Sequence, residues 1–250
     1  MPPVPTDPFL PPPAWSVAAF VMVIILVQAM LLFAVHRTWP GLKVTGGVAA
    51  AFVAVCVLTA GLASSGVLAQ EGLPPRIMIY FAVSNLTCLG LALAPPGRAL
   101  AGALPAGFWL VFQGFRLPLE GVLHVWAAAG TIPPQMSWGG ENLDVISGLV
   151  CPALGALLWA RPSARWAGWL GHAVGGALLV NVARVAALSA PTPFKAFEGP
   201  ALLLPLHAPY TWIVPFAVGA ALFTHVVGVR ALLGRPGRGT ERGGQLAGAE

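Results

Sequence analysis

Trp15–Val35 reads WSVAAFVMVIILVQAMLLFAV, a run without a single charged side chain, and it stops at the basic pair His36-Arg37. At about 1.5 Å of rise per helical residue, such a run covers about 30 Å, the thickness of a bilayer's hydrocarbon core. Six more apolar runs follow: Val44–Ala69, Ile77–Ala94, Ala99–Ala129, Val145–Ala160, Trp166–Ser189 and Tyr210–Leu233. The fourth is too long for one straight span, and Pro105 and Pro118 inside it predict a kink or a break. The pattern predicts an all-α polytopic bundle of about seven transmembrane helices filling residues 15–233.

Composition agrees with that solvent. Of the 250 residues, 57% are hydrophobic and 8% are charged, against about a quarter charged in soluble domains. The net charge of +5 does not make a nucleic-acid binder, because the cations sit at the ends of apolar runs rather than in one patch. Cys56, Cys88 and Cys151 lie inside apolar runs with no paired spacing, so neither a metal site nor a disulfide frame is expected, and no cofactor is implied.

The flanking segments orient the spans. Arg37, Lys43, Arg98, Arg161, Arg165, Arg230, Arg235, Arg238 and Arg242 fall on one side of a seven-span chain, while Arg76 and Lys195 fall on the other. That other side also carries Asp7, Glu71, Glu141, Asp144 and Glu198. The positive-inside rule then puts the N-terminus outside and the C-terminus in the cytoplasm. The Pro-rich segment 1–14 has no Lys or Arg, so it lacks the basic start of a cleavable signal and the first span is expected to persist. Residues 234–250, rich in Gly and Arg, read as a disordered cytoplasmic tail.

Polar residues within the runs mark the candidate site, since a charge at the bilayer centre needs a partner. Gln113, Arg116, Glu120 and His124 are spaced three, four and four apart, which puts them on one helix face. Arg116 then reads as an anion anchor paired with Glu120, with Glu120 or His124 exchanging protons. Asn181 and Arg184 share a face of the sixth run, where His172 can hydrogen-bond across helices and Gly171 with Gly175 suits close contact. Glu141 and Asp144 sit in an unusually long outer loop, 130–144, and His207 in another, 190–209. Trp138, Tyr210 and Trp212 fit an interfacial aromatic belt. The expectation is one outward-facing polar pocket that gathers these groups.

Two resemblances add to this reading. The segments Phe115-Arg116-Leu117-Pro118-Leu119-Glu120, Pro134–Asp144 and Leu188–Phe194 resemble a family of uncharacterised bacterial multi-pass membrane proteins. That resemblance covers roughly residues 110–233 and implies an inner-membrane topology without an activity. The order Cys151, Asn181-Val182-Ala183-Arg184, His207 resembles the exosortases and archaeosortases, polytopic cysteine transpeptidases. It would make Cys151 the nucleophile, Arg184 the oxyanion partner and His207 the proton carrier. In that family the cysteine directly precedes Ser-Gly, a place held here by Ile146 before Ser147-Gly148.

The functional expectation is an outer-face pocket that binds, transports or assembles an anionic or zwitterionic small molecule or lipid headgroup. The alternatives are an exosortase-like transpeptidase acting on a peptide, active or degenerate, and a structural subunit whose ion pairs only join spans. Beyond the bilayer and such a ligand, no partner is read from the sequence.

Overall fold

A computed structural model describes residues 8–70 and 72–234. Asp7, Glu71, Arg235, Arg238, Arg242 and nearly all of the expected tail lie outside the described residues. The described chain is all helix and turn, without a strand. Its helices are α1 (Ala14–Thr38), α2 (Leu42–Ser64), α3 (Arg76–Leu93), α4 (Pro95–Ala103), α5 (Ala106–Val111), α6 (Arg116–Ala128), α7 (Val145–Ala160), α8 (Arg165–Ser189) and α9 (Ala220–Leu233). Among the described residues, five stretches are long and apolar enough to cross a membrane: α1, α2, α3, α8 and Tyr210–Leu233.

The second expected span runs too far, since α2 ends at Ser64 and a left-handed Gly66 (φ 70°) turns the chain into a short 3-10 turn, Val67–Ala69. The expected single kinked span, Ala99–Ala129, is a series of pieces. Leu104 is extended (φ −124°, ψ 147°), as a residue before proline prefers, and Pro105 ends α4 there. From Ala106 the backbone stays helical to Ala128, tightening to a 3-10 turn over Phe112–Phe115. Pro118 causes no break. It falls just after the 3-10 turn Phe112–Phe115, where the backbone passes from 3-10 to α-helical bonding. The last span opens with a 3-10 turn at Tyr210–Trp212 and a π-helical turn at Val214–Gly219 before α9.

Glycines let the inner helices approach. A Cβ on Gly155 of α7 would stand 2.8 Å from the Gly107 carbonyl oxygen of α5, and one on Gly148 would stand 2.6 Å from the Leu117 nitrogen of α6. α8 and α9 close this inner group, and α3 packs on α9. By contrast α2 buries only Thr59 and Ala63, leaving Val53, Val57, Leu58 and Leu62 exposed to the surrounding medium.

The two ends of the bundle differ. At one, Arg165 donates to the Leu232 carbonyl, and Arg230 donates to the carbonyls of Ala92 and Ala94. The other carries the loops 130–144 and 190–209, joined where Gln135 Nε2 donates to the Glu198 carbonyl at 3.3 Å.

Candidate functional site

The site begins with the loop between α6 and α7. Gly140 N donates to the Ser137 carbonyl, and Glu141 N and Asn142 N both donate to the Gln135 carbonyl. A Cβ on Gly140 would lie 2.5 Å from the Pro134 carbonyl oxygen, so only glycine allows this fold-back. The turn drives Asn142 inward to zero exposure. Its side-chain oxygen accepts from Asp144 N at 3.1 Å, fixing the start of α7. Its amide Nδ2 donates to both Glu120 carboxylate oxygens at 2.9 and 3.1 Å and to the Met136 carbonyl at 3.1 Å.

That arrangement corrects the expected Arg116–Glu120 pair. Arg116 Nη1 donates instead to Asp144 Oδ1 at 2.7 Å, with both side chains buried (2% and 8% exposed), and also to the Gly175 carbonyl at 3.2 Å. Gly148 makes this pair reachable, because its bare Cα lets α7 seat against the first turn of α6. Arg116 Nη2 is buried with no hydrogen-bond partner among the described residues. Such a group is costly unless something occupies it. Gln113, also fully buried, donates to Thr224 Oγ1 at 2.8 Å on α9 and holds the helices together below the ion pair.

Arg116, Glu120 and Asp144 form the polar end of a cavity of about 80 Å³, room for several water molecules. The rest of its wall is apolar, built from Phe115, Leu119 and Leu123, from Leu179, Val182 and Ala186 of α8, and from Val214, Ala217 and Val218 in the π-helical turn. Phe81 of α3 and Val182, Ala186, Ile213 and Val218 are only half-buried, and they mark its open side. There α3 and α8 both pack on the last span and make at most slight contact with each other, and Phe81 of α3 faces Val182 and Ala186 of α8 across the cavity.

The single pocket expected from the sequence divides. Arg184 is outside the cavity. Its Nη2 donates to Glu141 Oε2 at 2.6 Å, with both side chains 47% exposed, and its Nε and Nη2 donate to Asn181 Oδ1. Asn181 and Arg184 do share a face, and Asn181 Nδ2 adds a bond to the Glu141 carbonyl at 2.8 Å. Glu141 and Asp144, which share the loop 130–144, therefore serve different arginines. His124 is exposed and stacks on Trp138, with ring centroids 4.3 Å apart, so Trp138 has a specific partner besides any interfacial role. His207 stacks on Phe9 at 3.9 Å, and burial lowers its pKa below the usual imidazole range.

The exosortase-like trio does not assemble. Cys151 has no exposure and donates its thiol to the Gly171 carbonyl at 3.3 Å. Arg184 lies nine positions beyond Gly175 on α8, about 13 Å along the helix from the thiol's level, and pairs with Glu141. His207 is in a different loop, against Phe9. Cys151 Sγ and the His225 ring both flank Gly175.

Asn142, which joins Glu120 to Asp144, was not read from the sequence. Its signal was weak: an amide two residues before an acid in a Gly-rich loop, a spacing that favours a local turn. His225 was also passed over, yet its Nδ1 lies 2.9 Å from His172 Nδ1 in the bundle interior. Among the described residues no cluster of three or more His, Cys, Asp or Glu is placed to hold a metal ion. No family model, curated protein or solved structure matches the chain.

Proposed function

We propose that this is a seven-span membrane protein that holds the zwitterionic head of a membrane lipid in the cavity at Arg116, Glu120 and Asp144. The crossings are α1, α2, α3, the continuous α5–α6 stretch, α7, α8 and the last span, with the loops 130–144 and 190–209 outside. The contacts of Arg165 and Arg230 at the opposite end support that orientation, since both belong to the basic side.

The observation that carries the ligand reading is the buried Arg116 Nη2 without a partner, beside two carboxylates, at the end of an otherwise apolar cavity. A phosphate or carboxylate oxygen would accept from Nη2, a charge-assisted bond stronger than a neutral one. A purely anionic head would also meet Glu120 and Asp144, whereas a zwitterion turns its ammonium toward Glu120. The cavity is too small for a whole lipid, so the chains leave between α3 and α8 into the bilayer.

Native mass spectrometry of the purified protein tests this. The wild type is expected to retain one zwitterionic phospholipid through delipidation. Val182→Trp, which fills the half-buried mouth from α8, should reduce that retention at least tenfold while leaving the thermal midpoint nearly unchanged. Equal retention by both proteins, or preferential retention of anionic lipid, would contradict the reading.

A further inference from the structure

A second polar centre lies deeper in the bundle, between α8 and the last span. The sequence His172-Ala173-Val174-Gly175 on α8 has a counterpart in His225-Val226-Val227-Gly228 on α9. The two tetrads pack reciprocally. A Cβ on Gly228 would stand 2.4 Å from His172 Nε2, and one on Gly175 would stand 2.9 Å from His225 Nε2. Each imidazole thus occupies a niche that exists because the partner helix has glycine at that position. Both rings are 6% exposed, they cross nearly perpendicularly at 80°, and they meet Nδ1 to Nδ1 at 2.9 Å. Both Nε2 atoms are buried without a hydrogen-bond partner among the described residues.

That bonding pattern fixes the protons. Two neutral rings joined Nδ1 to Nδ1 require one ring to carry its hydrogen on Nδ1 and the other to carry it on Nε2. One free Nε2 is therefore a bare acceptor and the other an N–H donor. We propose that His172 and His225 form a one-proton relay inside the membrane-spanning bundle. A proton delivered by a water molecule bonds to the bare Nε2 of the first ring, the Nδ1 hydrogen of that ring crosses to Nδ1 of the second, and the second ring releases its Nε2 hydrogen to a second water molecule at its own end. One N–H bond forms and one breaks at each ring, the net charge returns to its starting value, and the inter-ring hydrogen bond ends reversed.

The two outer ends of the relay face different surroundings. His225 Nε2 borders Gly175, whose niche also receives Cys151 Sγ of α7 and whose carbonyl accepts from Arg116. His172 Nε2 borders Gly228, against Trp109 of α5, whose own Nε1 is buried and unpartnered among the described residues. On the other packed elements, Cys88 of α3 seats against Gly219 and Arg98 of α4 is exposed. Among the described residues, Arg116, which donates to the Gly175 carbonyl, and Cys151, whose Sγ flanks Gly175, are the ionisable side chains beside the pair. The relay runs from the level of the Gly175 carbonyl, which Arg116 reaches, toward Gly228 and Trp109, and it requires no ligand in the cavity.

The test uses the full chain in lipid nanodiscs with 15N-labelled histidine, the five imidazoles being assigned by single His→Gln changes. Nitrogen NMR should show a 15N–15N coupling across one hydrogen bond, with one Nε2 protonated and the other bare. Exchange spectroscopy should show the two rings interchanging those states, and acidification should add one proton to the pair rather than two. His172→Gln and His225→Gln should each abolish the coupling. A frozen arrangement with the same ring always bare would reduce the pair to a structural clamp and overturn the relay. Protonation of both Nε2 atoms at rest, or independent uptake of two protons, would overturn it as well. These readouts on the unmodified protein stand even if the variants fail to fold.

Discussion

Arg116 and Arg184 look alike in the sequence, each a lone arginine in an apolar run, yet their surroundings predict different behaviour. Arg116–Asp144 is buried, so removing one partner leaves an uncompensated charge. Asp144→Asn should cost about 3–5 kcal/mol in unfolding measured in detergent. Arg184–Glu141 is half-exposed, and Glu141→Gln should cost less than about 1 kcal/mol. Spacing alone pointed Arg116 at Glu120, because helical periodicity reports only neighbours on one helix. The competing partner comes from a loop fold-back that depends on Gly140 and Asn142, and no periodic signal encodes it. His207 gives a pH prediction. Its pKa is lowered in the folded protein, so the unfolded state binds more protons below the ordinary value of 6.5. The contribution of the Phe9–His207 stack is therefore complete above that value and declines as pH falls through it toward the folded pKa. In a Phe9→Trp variant, indole fluorescence should change reversibly on acidification, and adding His207→Gln should remove that dependence.

The helices follow from hydropathy where one run makes one helix, as in α1, α7 and α8, whose bounds fall within a few residues of the expected ones. The fourth run did not, because its apolar composition continues through Leu104-Pro105 while the backbone there turns extended. The π-helical turn at Val214–Gly219 left no hydropathy signal either, and it forms part of the cavity wall. Glycine spacing carries the packing of these elements. A Cβ on Gly155 would meet backbone, the Gly107 oxygen and the Val111 nitrogen at 2.8 Å, whereas one on Gly46 of α2 would meet nothing within 4 Å. Gly155→Ala should therefore separate α5 from α7 and destabilise by about 1–3 kcal/mol. Gly46→Ala should instead be neutral or stabilise by up to about 1 kcal/mol, through the helix preference of alanine. Thermal unfolding of both variants in one detergent makes the comparison.

At the scale of the whole molecule, the sequence specified an all-helical chain with membrane-length segments and pointed to Arg116, Glu120 and Asp144. It did not reveal that Arg184, Asn181 and Glu141 form a separate exposed cluster, because residues assigned to the same end of a bundle can face different sides of it. The account rests on a cavity whose polar end is buried in the bundle and whose mouth lies between α3 and α8. The most direct measurement is an experimental structure of the protein in lipid nanodiscs. The account predicts lipid density in that cavity, with its head within hydrogen-bond distance of Arg116 Nη2 and its chains passing between α3 and α8. A cavity filled only by ordered water, or closed by direct packing of α3 on α8, would contradict it.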